Sequence, residues 1–141
     1  MYNRDDVLKA LAYGDHANNR CEPYITCEIL TNREEVQFIR EVYYTSDGGG
    51  DDPDYSSTRT LKGIADLADF DPFLKQIEDT GKTNFSLEMH VIETYDGVAI
   101  GNSRRAQENR CIHNDLRDYT GKINVSIEMK SKEEASICLS F

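Results

Sequence analysis

An internal repeat is the most informative feature of this sequence. Residues 79–89 read DTGKTNFSLEM, and residues 119–129, offset by 40 positions, read YTGKINVSIEM. A shorter copy, ITCEI, occupies residues 25–29. In all three copies a hydroxyl residue and a glutamate alternate with apolar residues, which is the period of a half-buried strand. We therefore predict three equivalent strands, each with one face in the core.

A helical pattern precedes each copy of the repeat. The first helix is expected from about Asp5 to Tyr13, with Asn3 as N-cap and Gly14 after its end. Apolar spacing predicts a second helix around 61–68, and Asp71-Pro72 should break it and start a short one that Gly81 ends. A third helix is predicted over 103–119, ended by Gly121.

A second strand should follow each copy and complete a hairpin. These strands are predicted at 36–45, at 98–100 after a turn at 95–97, and at 135–141. Residues 36–45 also fit helical spacing, so a helix starting at Thr31 is the rival interpretation. An amphipathic hairpin cannot bury its apolar face alone, and the helix ahead of it would supply the cover.

The predicted fold is therefore α+β, in a single domain of 141 residues. Three helix–β-hairpin (αββ) units, at about 1–46, 57–102 and 103–141, would form a roughly six-stranded antiparallel sheet with helices on one face. Residues 46–58 (SDGGGDDPDYSST) are predicted to form a mobile acidic loop. The order of the strands and the oligomeric state stay open.

The charge of the chain limits its partners. The formal net charge is -10, and residues 47–79 alone hold nine acidic and three basic side chains. Such a surface repels nucleic acid and anionic lipid and favours a protein with a basic surface. No apolar N-terminal segment or membrane-length apolar run is seen, and four Cys are sparse for a disulfide scaffold. We expect a cytoplasmic protein with reduced thiols.

Two sets of acidic residues are candidates for binding a basic partner. The first set is in the acidic loop and the second consists of the repeated glutamates: Asp47, Asp51, Asp52, Asp54, and Glu28, Glu88, Glu128. If the three units closed around a pseudo-threefold axis, the three glutamates could approach one another and bind a cation or exchange protons. A solvated sheet face is the simpler interpretation. The loop lacks the ligand spacing of an EF-hand.

Basic residues on the predicted third helix offer an alternative site. Arg110, His113 and Arg117 would lie opposite its apolar face and could hold an anion such as a nucleotide, with Lys122 or Lys130 nearby. A solvated helix face paired with the protein's own acids is the simpler interpretation.

Three further motifs fail on geometry or spacing. Gly81-Lys82-Thr83 follows a helix and opens a strand, which is the reverse of a phosphate-binding P-loop. Ser86, Glu88 and His90 would point in parallel from one strand rather than converge as a catalytic relay. Cys111 and His113, with Cys21 and Cys27, match no common zinc spacing. We expect no cofactor, no metal site and no catalytic residues.

The leading functional hypothesis is a non-enzymatic acidic binding protein that occupies the basic, nucleic-acid-binding surface of another protein. Its small size and acidity suit an inhibitor from a phage or mobile element, of the anti-defence (anti-CRISPR) type. Capture of an anionic small ligand is the alternative. A weak hydrolase or transferase that uses Glu88 and His90 is the third hypothesis.

Overall fold

A computed structural model describes residues 1–16, 24–46, 53–101 and 111–140. Within these ranges the chain forms, in order, α1 (Arg4–Tyr13), β1 (Asp15–His16), β2 (Tyr24–Thr31), β3 (Glu35–Ser46), β4 (Pro53–Asp66), α2 (Leu67–Thr80), β5 (Lys82–Gly101), β6 (Cys111–Met129) and β7 (Ala135–Ser140). The seven strands make one antiparallel sheet whose spatial order is the chain order. The sheet curls into a nearly closed barrel.

The prediction of three αββ units is wrong. The third helix does not form, because β6 runs through 111–129 and pairs with β5 from Lys82↔Glu128 to Ala99↔Cys111. Spacing of apolar residues near 112–119 fits a helix locally, but a long partner strand satisfies the backbone of the same residues. Gly121, expected to end that helix, pairs with Met89 inside the ladder. Long-range pairing therefore overrides local pattern here.

The region between β3 and α2 also differs from the prediction. Residues 61–68 were expected to be helical, but Pro53–Asp66 is β4, which pairs with both β3 and β5. The strand begins inside the predicted loop 46–58, and its alternating Leu61 and Gly63 face the core. The expected turn at 95–97 is absent, since β5 continues to Gly101. Helix α2 starts at Leu67, so Pro72 lies inside it rather than in its first turn.

Several local predictions are confirmed. Helix α1 has Asn3 as its N-cap, and the Asn3 side chain accepts a hydrogen bond from the Asp6 backbone N–H. Residues 35–46 form a strand rather than the rival helix. Helix α2 ends at Gly81, which takes the left-handed conformation (φ 82°) that an L side chain resists. The last hairpin, β6 with β7, is also present.

Both helices lie against one end of the barrel. Val7 and Leu11 of α1 and Phe70 and Leu74 of α2 are buried. The Phe38 and Phe70 rings meet edge to face with centroids 5.4 Å apart, a favourable aromatic geometry. No helix in the described part of the chain is long and apolar enough to cross a membrane.

Candidate ligand-binding cleft

A concave cleft of about 970 Å³ opens on the inner face of the sheet, away from α2. Strand β4 enters α2 at Asp66 and β5 leaves it at Lys82, whereas the cleft lies farther along both strands. Four strands, β3 to β6, contribute to its walls. The charged and aromatic side chains among the lining residues are Arg40, Tyr55, Arg59, Glu93, Tyr95, Asp115 and Arg117.

The sheet register brings these residues together. One cross-strand row runs Arg40–Leu61–Glu93–Arg117, and the next runs Val42–Arg59–Tyr95–Asp115. Residues directly opposite one another on adjacent strands project from the same face. The row one step closer to the helices is apolar, with Phe38 and Val91 fully buried. The inner face therefore changes from apolar to charged along each strand.

Glu93 is engaged by two neighbours on β6. The Tyr119 hydroxyl donates a hydrogen bond to Glu93 Oε2 at 3.1 Å, and Arg117 Nη1 lies 3.8 Å from the same oxygen. The pKa of Tyr119 is raised by desolvation, and further by the hydrogen bond and charge of Glu93, while Arg117 opposes the shift. The carboxylate of Glu93 thus has one hydrogen-bonding and one cationic partner on β6.

Arg40 and Arg59 occupy diagonal positions on β3 and β4, because Arg40 opposes Leu61 and Arg59 opposes Val42. Such diagonal neighbours are about 7–8 Å apart between Cα atoms, within reach of long side chains. Within the described ranges, neither guanidinium has a carboxylate oxygen within 4.0 Å. Both side chains line the cleft.

Tyrosine rings form the side of the cleft next to Arg59. The Arg59 guanidinium lies 4.7 Å from the centroid of the Tyr95 ring, at cation–π distance. The absence of a side chain at Gly97 leaves space for both tyrosines. A Cβ at this position would come 2.8 Å from the Tyr95 hydroxyl and 3.0 Å from the Tyr55 hydroxyl. A larger residue at this position would displace both rings.

Cys27 of β2 lies directly opposite Arg40. Burial raises the pKa of its thiol to about 11, although the Arg40 charge lowers it in part. Cys27 is therefore a buried thiol that stays protonated near neutral pH and is a weak nucleophile there.

The three repeated glutamates do not converge. They lie on the outer face of β2, β5 and β6, in different surroundings. Glu28 opposes Ile39, Glu88 opposes Lys122, and Glu128 opposes Lys82. The register thus sets two of the three glutamates against lysines rather than against one another.

The other predicted site residues lie far apart or fall outside the residues that the structure describes. Arg117 lines the cleft, His113 is on β6 with an undescribed side chain, and Arg110 falls outside the described residues. Lys122 and Lys130 are exposed on the outer side. Of the loop aspartates, Asp54 belongs to β4 but its side chain is not described, and the other three are outside the described residues: Asp47, Asp51 and Asp52.

Ser86 and His90 bind residues of β6 rather than each other. The Ser86 hydroxyl donates to Asn124 Oδ1, and His90 Nε2 is hydrogen-bonded to Asp118 Oδ1. Four positions along one strand separate them by about 13 Å. This distance excludes a nucleophile–base contact in this conformation.

Sequence reasoning missed Arg40, Arg59, Glu93 and Tyr95. A usable signal was present, because the inward positions of β3 read Val36, Phe38, Arg40 and the polar residue breaks an apolar series. Charged residues at inward-facing positions near the end of a strand indicate that the core gives way there to a polar, solvent-accessible cavity. The sequence could not show that Arg40, Arg59 and Arg117 lie in one cleft, since they belong to three different strands.

No group of three or more His, Cys, Asp or Glu residues that could hold a metal occurs in the described ranges. Comparison with protein-family models, curated proteins and solved structures gave no match.

Proposed function

We propose that this protein binds a small organic anion in the cleft between β3 and β6. The observation that carries the proposal is the Arg40–Arg59 pair, which faces the cleft without a carboxylate within 4.0 Å among the described residues. Two planar guanidinium groups offer forked donors that match a phosphate or carboxylate.

The remaining walls fit the organic part of such a ligand. Tyr55 and Tyr95 present rings beside Arg59, and Val42 and Leu61 add apolar surface. A cleft of about 970 Å³ lies within the range of small-molecule sites. A planar ring carrying a phosphate or carboxylate could stack on tyrosine while its charged group meets the arginines. The same pair would attract an anion locally on a chain whose net charge is -10.

Isothermal titration calorimetry with benzoate, phenyl phosphate, adenosine monophosphate and inorganic phosphate tests this proposal. We expect ring-bearing anions to bind more tightly than inorganic phosphate. The Arg40→Gln/Arg59→Gln variant should lose about tenfold or more in affinity, because a charge-assisted hydrogen bond contributes about 1.5–3 kcal/mol.

Arg33→Gln/Lys132→Gln is the matched control, since it removes two exposed positive charges outside the cleft. It should bind the same anions with unchanged affinity. Equal loss in both double variants would show only a general charge effect. Absence of binding by every anion would contradict the proposal.

A second candidate function is docking on a basic surface of another protein, as the net charge of -10 suggests. One structural observation supports it. Glu35 and Asp66, both exposed, oppose each other directly across β3 and β4, and like charges so placed are destabilising. A basic partner would relieve this repulsion. We place either activity in the cytoplasm, where Cys27 and Cys138, both free thiols here, would stay reduced.

Binding of a lysine-rich peptide at several salt concentrations tests the docking candidate. Affinity of the parent protein should fall steeply with salt. At low salt, Glu35→Gln/Asp66→Asn should weaken binding more than Glu41→Gln/Glu134→Gln, which removes the same charge at exposed positions elsewhere. Equal weakening in both would contradict a specific docking surface. Neutralising Asp51, Asp52 and Asp54 is likewise predicted to weaken binding.

A further inference from the structure

Much of β6 has only one partner strand. It spans Cys111–Met129, and β5 pairs with it along nearly this whole length. On its other side, β7 pairs only with residues 124–129. In the described ranges, residues 115–123 therefore present an edge to which the sheet register assigns no neighbouring strand. Such an edge is a template for adding another strand.

The exposed side chains on this edge have a self-complementary order. Asp115, Leu116 and Arg117 are consecutive, and all three are exposed. Leu116 keeps 67% of its surface accessible despite its position in the middle of a strand. In an antiparallel pairing of two copies centred on Leu116, Asp115 of each copy opposes Arg117 of the other.

We propose that two copies of this chain associate through β6, as an antiparallel pair with its twofold axis at Leu116. The pairing brings two opposite-charge contacts and a Leu116–Leu116 contact together at the axis. It also keeps both concave faces on the same side, because residues of equal parity oppose each other. Each cleft then gains Asp115 and Arg117 of the second copy along its rim.

Neighbouring registers are less favourable. Centring the pair on Arg117 sets two arginines against each other, and centring it on Asp118 does the same with two aspartates. A pair centred on Thr120 would oppose residue 116 of one copy to residue 124 of the other. Asn124 is already paired with Ser140 of β7, so β7 limits that register to a few residues.

A cysteine at the axis tests the proposal directly. In a background with Cys21, Cys111 and Cys138 changed to Ser, Leu116→Cys would place two thiols on directly opposed residues. Their Cα atoms would be about 4.5–5.5 Å apart, which a disulfide can span. Thr120→Cys, on the same face of β6, is the matched control, because the two copies of residue 120 would be about 27 Å apart.

Under mild oxidation we expect the Leu116→Cys protein to form disulfide dimers about tenfold faster than the Thr120→Cys protein, from the difference in effective concentration. Adding Asp115→Lys to Leu116→Cys should slow dimer formation several-fold, since the lysine would face Arg117. Circular dichroism of each reduced protein checks that it is folded.

Sedimentation of the unmodified protein gives an independent measurement. Its average mass should rise toward twice the monomer value with concentration. Equal crosslinking at the two positions, preferential crosslinking at residue 120, or a strict monomer at all concentrations would overturn the proposal. If the protein is a strict monomer, the free edge of β6 would have to pair with an extended segment of a different protein.

Discussion

The carboxylate of Asp15 accepts a hydrogen bond from the backbone N–H of Ile137 at 3.1 Å, and this contact joins the first strand of the sheet to the last. Strands β1 and β7 share no ladder pairs in the described register. The backbone of Leu139, also in β7, acts on Cys27 of β2 and lowers the pKa of its thiol in part. In the described part of the chain, side-chain contacts rather than a backbone ladder therefore bridge this seam of the nearly closed barrel.

Asp15→Ala is expected to lower the free energy of unfolding by about 1–3 kcal/mol, because it leaves a part-buried N–H without its acceptor. Asp15→Asn keeps an acceptor oxygen and should cost less than Asp15→Ala. Urea denaturation measures both changes, with Glu41→Ala on the exposed outer face as the control. An alanine variant as stable as the parent would show that the seam contact contributes nothing.

The repeat shows how far the sequence could predict this fold. The alternation of buried and exposed side chains that the repeat predicts is confirmed, since Phe85 and Val125 are both buried. Its arrangement was misread, because these equivalent residues are direct partners across β5 and β6. The two long copies are thus antiparallel neighbours related by a local twofold axis, and not members of a threefold set. Sequence period specifies which face is buried, whereas strand partners depend on contacts distant in the chain.

The prediction of the third helix was wrong and the cleft was missed for the same reason. Leu116 and Tyr119 fit a helical stripe, yet in β6 they lie on opposite faces, with Leu116 exposed and Tyr119 half-buried. Arg40 and Arg117 become neighbours of one cavity only after four strands are aligned in register. Neither fact can be read from a window of consecutive residues.

Phe70 tests how α2 is held on the barrel. It is fully buried and packs edge to face on Phe38, so Phe70→Ala should cost about 3–5 kcal/mol of unfolding free energy. Phe73, which stacks on Phe85 at 4.0 Å but is only partly buried, is the comparison and should cost less as Phe73→Ala. Thermal or urea unfolding measures both. A smaller loss at Phe70 than at Phe73 would contradict this packing.

Cys27 should resist alkylation in the folded protein. Its pKa of about 11, against 9.0 for an ordinary thiol, leaves about 100-fold less thiolate at neutral pH. Iodoacetamide labelling followed by peptide mass spectrometry should show exposed Cys138 reacting much faster, and urea should abolish the difference. Because the folded pKa is the higher one, the stability it contributes is complete below pH 9.0 and is lost as pH rises through about 11. Equal native labelling rates would contradict this burial.

The ionisation of Tyr119 reports on the network inside the cleft. Its pKa lies above the usual 10.0 because of desolvation and then Glu93, with Arg117 acting in the opposite sense. In an NMR titration of ring-labelled tyrosine, assigned with Tyr119→Phe, Glu93→Gln should lower this pKa and Arg117→Gln should raise it. Since the folded pKa is the higher one, its stabilisation is present below pH 10.0 and is lost as pH rises through the folded value. Shifts of the same sign in both variants would mean that Glu93 and Arg117 do not act on Tyr119 as the structure places them.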